Sequence, residues 1–215
     1  MHIHSLTDTA GMALRPVPNL DGGSRNIRAA MLADEPRVAE LIVSAFETDP
    51  AARWMYPDIW DYRVHFAEFM RVFGGRAFAS GTAHVLQDFA GAALWLPPGV
   101  SPDDEGVMAF IVDTTPKELQ ASLMAVFEEM SSYHPTEAHW HLPLIGVHPS
   151  HQRQGHGAAL LRHALRTCDE QGLAAYLESS NPENIPLYER HGFEVLGKIQ
   201  VGSSPVITPM LRRER

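Results

Sequence analysis

Gln152-Arg153-Gln154-Gly155-His156-Gly157-Ala158-Ala159-Leu160-Leu161 follows an apolar run, Leu142 to Val147, that reads as a strand. It opens a segment whose apolar residues Leu161, Ala164, Leu165 and Cys168 recur at helical spacing. Two glycines and two alanines at a helix start leave its first backbone N–H groups uncovered. Those groups have no intrahelical acceptor, and the aligned peptide dipoles favour negative charge there. A pyrophosphate can therefore rest on bare backbone. Spacing narrows the ligand. A nucleotide P-loop needs Lys-Ser or Lys-Thr after its last glycine, and none follows here. The dinucleotide fingerprint G-x-G-x-x-G begins at Gly155 and Gly157, with Glu178 near the offset of its acidic ribose ligand, but meets Leu160 at its third glycine. It also requires strand to run straight into glycine, whereas His148 to Gln154 intervene.

The pattern that fits is Q/R-x-x-G-x-G/A, met by Gln152, Gly155 and Gly157. It resembles the acyl-CoA loop of the GCN5-related N-acetyltransferase (GNAT) superfamily. A second segment strengthens the resemblance: Leu173 to Glu178, then Asn181-Pro182-Glu183-Asn184-Ile185-Pro186-Leu187-Tyr188-Glu189-Arg190-His191-Gly192-Phe193. It is similar to the strand, loop and short helix that follow in that superfamily. The resemblance spans residues 27–212 and is densest from 140 to 195. Phe46, Asp49-Pro50, Trp54, Trp95-Leu96-Pro97-Pro98-Gly99 and Leu177-Glu178 look most like the puromycin-acetyltransferase-like branch. The resemblance implies an α/β (α+β) fold with a mixed, mostly antiparallel sheet of about seven strands, flanked by helices. Splayed central strands would admit the pantetheine arm. It also implies acetyl-CoA as co-substrate and a primary amine of a small molecule as acceptor.

Composition agrees with one globular domain: 215 residues, 45% hydrophobic and 20% charged. No apolar run approaches the ~20 residues of a membrane span, and the amino terminus lacks a secretory pattern. One cysteine excludes an internal disulfide and suits a cytoplasmic location. A formal charge of −9 argues against a nucleic-acid surface. Twelve histidines show neither HExxH nor paired Cys/His spacing, so no metal is expected, and His134, His148, His151 and His163 are expected at the surface.

Residues 1–26 read as an N-terminal arm and 27–212 as a single domain with a helical insertion over about 100–132. A first strand is expected over Arg28 to Leu32, then a helix capped by Asp34, and a second helix with Tyr62, Phe66, Phe69 and Phe73 inward, stopped at Gly74-Gly75. Ala83–Gln87 and Ala92–Leu96 read as a hairpin. Thr115-Pro116-Lys117-Glu118 reads as a capping box opening a helix. The long strand His139–His148 follows, and Phe193–Val201 with Val206–Leu211 reads as a closing hairpin. The inserted helices are open to three roles: a wall for the acceptor site, a surface for pairing of subunits, or structural padding. The resemblance leaves a homodimer open in the same way.

Acetyl transfer to an amine needs a held donor, a neutral amine, and a proton for the departing thiolate. Gly155, Gly157 and Ala158 let backbone approach the pyrophosphate, with side chains of Gln152, Arg153, Gln154 and His156 nearby. The resemblance assigns Val147 to the pantetheine amides through its backbone. Pro186 belongs in a first helical turn, making Asn184 the expected N-cap. Tyr188 then emerges one turn in, and the resemblance makes it the general acid. Either Asn181 or Asn184 reaches the cofactor. For the base, Glu178 is favoured by the resemblance, with His139, His141, Glu47 and a water chain as alternatives. Trp54, Tyr56, Trp60 and His141 are expected at the acceptor side, beside Asp49 and Asp58, where aromatic faces can hold a cation. Acetylation of a protein amino terminus or lysine, and a non-catalytic acyl-CoA sensor, are the competing functions.

Overall fold

The computed structural model describes residues 26–215; apart from Asn26, the N-terminal arm lies outside the described residues. β1 (Ile27–Ala29) is shorter than expected, because Leu32–Asp34 wind into a 3-10 turn. Asp34 does not cap the next helix; its carboxylate takes the Met31 N–H at 2.8 Å and pairs with Arg28. α1 (Glu35–Phe46) buries Val38, Ala39, Leu41 and Ile42. A short helix not foreseen as such, α2 (Pro50–Met55), is capped by Asp49, whose Oδ1 accepts from Ala51 N–H at 2.9 Å and Ala52 N–H at 3.1 Å. α3 (Ile59–Gly74) buries the expected Tyr62, Phe66, Phe69 and Phe73. The single turn α4 (Arg76–Ala79) leads to the hairpin of β2 (Ala83–Leu86) and β3 (Gly91–Leu96).

The insertion forms two helices, α5 (Asp104–Thr114) and α6 (Lys117–Tyr133). The capping box does not form: the Thr115 hydroxyl turns back to the Ile111 carbonyl at 2.6 Å, leaving Pro116 at the N-cap position. β4 (His139–Val147), α7 (His156–Gln171), β5 (Ala174–Ser179), α8 (Ile185–Glu189), β6 (Glu194–Val195) and β7 (Thr208–Arg212) complete the chain. The closing hairpin is reduced to β6, β7 and a bridge between Ile199 and Ile207.

The seven strands form one sheet in the order β1-β2-β3-β4-β5-β7-β6, and only the β4–β5 pair is parallel. This is the expected mixed, mostly antiparallel sheet. Helices cover both faces. One core packs α1, α3, α5 and α6 on one face, around Phe66, Phe69, Ile42 and Leu123. The other packs α7 and Tyr188 of α8 on the opposite face, around Trp95, Leu160, Leu161 and Leu165. Gly146 allows the first packing to be close: a Cβ there would stand 2.8 Å from the Ala45 Cβ and 3.0 Å from Ile42 Cδ1.

β4 changes phase midway. Leu94 pairs with Leu144 but Leu96 with His141, so β4 holds one extra residue, a bulge at Leu142-Pro143. Its parallel ladder to β5 ends at the Leu142–Leu177 pair. Pro143 has no N–H to continue it, so Pro143 to Val147 and Glu178 onward part. The sheet is open at its centre.

His84 of β2 meets His163 of α7 edge-on, with ring centroids 4.7 Å apart, so His163 is partly buried rather than on the surface. Burial, assisted by His163, lowers His84 to about 4; Arg166 adjoins His163 at 3.2 Å. The fold therefore holds His84 neutral, while an unfolded histidine titrates near ~6.5. As pH falls the unfolded chain gains its proton first, so this stability is intact above ~6.5 and is lost between ~6.5 and ~4, by about 3 kcal/mol at most. Urea midpoints should fall across that window, and His84→Leu should flatten the fall. An unchanged slope in the variant would remove His84 as its source.

Candidate active site

The loop after β4 is shaped by backbone. Arg153 (φ 59°) and Gly155 (φ 78°) are both left-handed, with Gln154 between them in the ordinary region. Such alternation turns successive N–H groups into one concavity, a nest for an anion. Gly155 is the N-cap of α7, and Ala159 N–H is the first to close onto its carbonyl, at 3.1 Å. The amides of Gly157 and Ala158 precede that bond and lack an intrahelical acceptor. A Cβ at Gly157 would point between Leu187 (3.4 Å) and Val147 (3.9 Å), into the gap left by the parted strands. Gln152 braces the loop: its side-chain amide donates to the Val147 carbonyl at 3.2 Å. Gln154 likewise donates to the Ser150 carbonyl at 3.3 Å, and the His156 ring lies 6.0 Å from that of His151.

On the other strand, Asn181 is the capping residue. Its side chain accepts the Glu183 N–H at 3.0 Å and starts a 3-10 turn, Pro182–Asn184, ahead of α8. Asn184 makes no side-chain cap, contrary to expectation, because that turn has already set the chain direction; it is exposed. Tyr188 is 6% exposed and packs edge-on against Phe193. Burial, with the nearby Asp49 charge, pushes this phenol well above its usual range, so it stays protonated.

Across the opening lies a cavity partly open to solvent. Phe66, Phe69, Phe73, Trp54, Phe127 and Met130 supply an apolar wall, and Asp49, Glu178 and Ser180 the polar edge. The insertion is thus a wall: Leu123, Val126, Phe127 and Met130 all come from α6. Trp54 reaches the cavity, with its indole N–H donating to Ser203 Oγ at 3.2 Å. Tyr56 and Trp60 do not line it. Tyr56 is core, hydrogen-bonded to Thr114 at 2.6 Å, and Trp60 is 68% exposed beside Arg63. His141 sits behind the lining, edge-on to Phe73.

The two carboxylates differ. Asp49 accepts from Ser180 Oγ at 2.6 Å and from the α2 amides. Burial raises its pKa despite those bonds. Glu178 has a side chain only 3% exposed, with His141 Nε2 3.0 Å from one oxygen and His134 Nε2 3.1 Å from the other. The His134 contact is close but lacks hydrogen-bond geometry. Burial opposes ionisation of Glu178, yet His141 and His134 outweigh it and bring the carboxyl to about 2. His134 is therefore partly buried at the site rather than a surface residue. Sequence reasoning had Asp49 only as a neighbour and missed His134. The Asp-Pro cap signal at 49–50 was legible; its meeting with Ser180, 131 positions on, was not.

Residues 99–193 match the family model described as Acetyltransferase (GNAT) family. Over that stretch the chain is similar to the GNAT family. An uncharacterised N-acetyltransferase of Schizosaccharomyces pombe is 27% identical to this acetyltransferase over 182 residues, 74% of this chain and 70% of the relative. Among solved structures, a Corynebacterium glutamicum histone acetyltransferase HPA2 and related acetyltransferase is similar, with TM-score 0.62, 24% identity, 88% of this chain and 96% of that one. A mosquito arylalkylamine N-acetyltransferase like 5b gives TM-score 0.59 at 17% identity, over 87% of this chain and 99% of that one. Those two establish the fold. Members of the family use acetyl-CoA as co-substrate. No described helix is long and apolar enough to cross a membrane.

Acetyl-CoA at a hundred-fold excess over its Kd should stabilise the protein by about 2.7 kcal/mol, a rise of several degrees in Tm. Gly157→Glu should abolish that shift, by placing bulk and negative charge between Val147 and Leu187. A shift that survives would locate the cofactor elsewhere.

Proposed function

We propose that this acetyltransferase moves the acetyl group of acetyl-CoA to the primary amine of a small molecule with an apolar, ring-bearing body. The observation that carries this reading is the aromatic cavity beside the open centre of the sheet, with Asp49 at its edge and Tyr188 within electrostatic reach of Asp49. Acyl-CoA would lie with its pyrophosphate on residues 152–158, its pantetheine along Val147, and Asn181 or Asn184 beside it.

An alkylammonium holds its proton up to ~10, far above a carboxyl in water. An apolar cavity narrows that gap, since burial raises the carboxyl and lowers the ammonium. Asp49 meets this requirement better than Glu178, because its pKa is raised while Glu178 is held ionised by two imidazoles. Asp49 thus takes the amine proton, and the nitrogen attacks the thioester carbonyl. The C–S bond then breaks, and Tyr188 gives its phenolic proton to the thiolate. The nitrogen loses its remaining extra proton to water, from which the phenolate is reprotonated. Glu178, the base favoured by sequence, instead supplies fixed negative charge at the cavity wall. Trp54, one of the residues that resemble the puromycin-acetyltransferase-like branch, lines the cavity and fits a bulky acceptor. Walls from α2 and α6 leave less room for an extended peptide.

A panel of amines, followed by release of free thiol, tests this. Aromatic and other bulky amines should be turned over faster than short polyamines or a lysine peptide. Tyr188→Phe should lower kcat by about 10²-fold or more while the acetyl-CoA thermal shift is kept. Asp49→Asn keeps the cap of α2 and should lower kcat/KM by about 10²-fold. In the parent enzyme kcat/KM should fall as pH drops through the raised pKa of Asp49, above the range of an ordinary carboxyl. Binding of acetyl-CoA with no thiol release for any amine or peptide would favour the sensor function.

A further inference from the structure

His134 follows the last turn of α6, His141 lies on β4 and Glu178 on β5, and one donor atom from each falls within 4.8 Å of the others. The two imidazole Nε2 atoms face different oxygens of one carboxylate, at 3.1 and 3.0 Å. Ligands ~2.0–2.1 Å from a tetrahedral ion stand ~3.3 Å apart, so small side-chain shifts would admit one. A second observation lies inside the same cluster. Tyr176, 0% exposed, has its ring centroid 4.4 Å from that of His134 and 5.8 Å from that of His141. Its buried hydroxyl faces Glu178; burial, together with that carboxylate, holds the phenol well above its usual range.

We propose that His134, His141 and Glu178 form a binding site for a divalent transition-metal ion, Zn²⁺ being the best match. Two imidazoles and a carboxylate suit zinc over magnesium or calcium, which take oxygen donors. Three protein ligands leave a fourth position for water, beside the Tyr176 hydroxyl. Because Glu178 lines the acceptor cavity, an ion here would turn local negative charge into positive and repel an ammonium. Zinc would therefore raise KM for the amine, a consequence that rests on the proposed function, whereas the site itself does not.

The test is calorimetric titration of the purified full chain with ZnCl₂, paired with the visible spectrum of the Co²⁺ complex. One ion per chain and the intense visible bands of four-coordinate cobalt are expected. His134→Ala should weaken binding by at least about tenfold, with the far-UV circular dichroism unchanged. His141→Ala and Glu178→Gln should do the same. No heat and no cobalt bands up to about 1 mM metal would overturn the site. Binding unaltered in His134→Ala and Glu178→Gln would also overturn it, since the ion would then sit elsewhere. Stoichiometric binding that leaves KM for the amine unchanged would overturn the inhibitory consequence alone.

Discussion

The parting of β4 and β5 beyond the Leu142–Leu177 pair is the constraint on which the site depends. A parallel ladder at the centre of a sheet would ordinarily run to the strand ends, because unpaired backbone is costly to bury. Here Pro143 removes a donor, and the bulge beside it shifts the phase of β4. Trp140 and Leu142 face α7, whereas Leu144 and Gly146 face α1 and α3. One strand thereby serves both cores and leaves a breach between them. The anion nest lies on one side of that breach and the aromatic cavity on the other.

Across the breach, the division of labour among ionisable groups follows from their surroundings. Asp49 is buried with neutral donors only: one hydroxyl and two amides. These compensate its charge incompletely, so its affinity for a proton rises. Glu178 is buried as deeply but faces two imidazoles, and it remains ionised. The same carboxyl chemistry is thus set to two different ends by neighbours drawn from α6, β4 and the strand end after β5. Tyr188 of α8, enclosed in the second core, is held neutral.

The helices of the insertion give the site its particular character. α6 packs Leu123, Val126, Phe127 and Met130 against the phenylalanine stripe of α3, and together they form the cavity wall. The residue after α6, His134, completes the cluster around Glu178. Without this insertion the cavity would lack both its closing wall and the second imidazole. Apolar packing and polar chemistry here come from the same segment.

The order of elements, the turn from strand into glycine-led helix and the sheet class were legible because they are local: helical and strand periodicity, glycine spacing at 155 and 157, and prolines at turns each act within a few residues. Errors of detail were also local, where a competing hydrogen bond won, as with Asp34 turning to Met31, Thr115 to Ile111, and Asn181 capping in place of Asn184. What tertiary structure alone decided is which distant groups share one environment. Asp49 with Ser180, and His134 with His141 and Glu178, meet through strand pairing and helix packing. Trp54 reaches the cavity while Tyr56 enters the core and Trp60 faces water, although all three lie within seven residues. Side-chain type fixes the chemistry available to a residue. Burial and neighbours, which only the folded chain supplies, fix whether it is used.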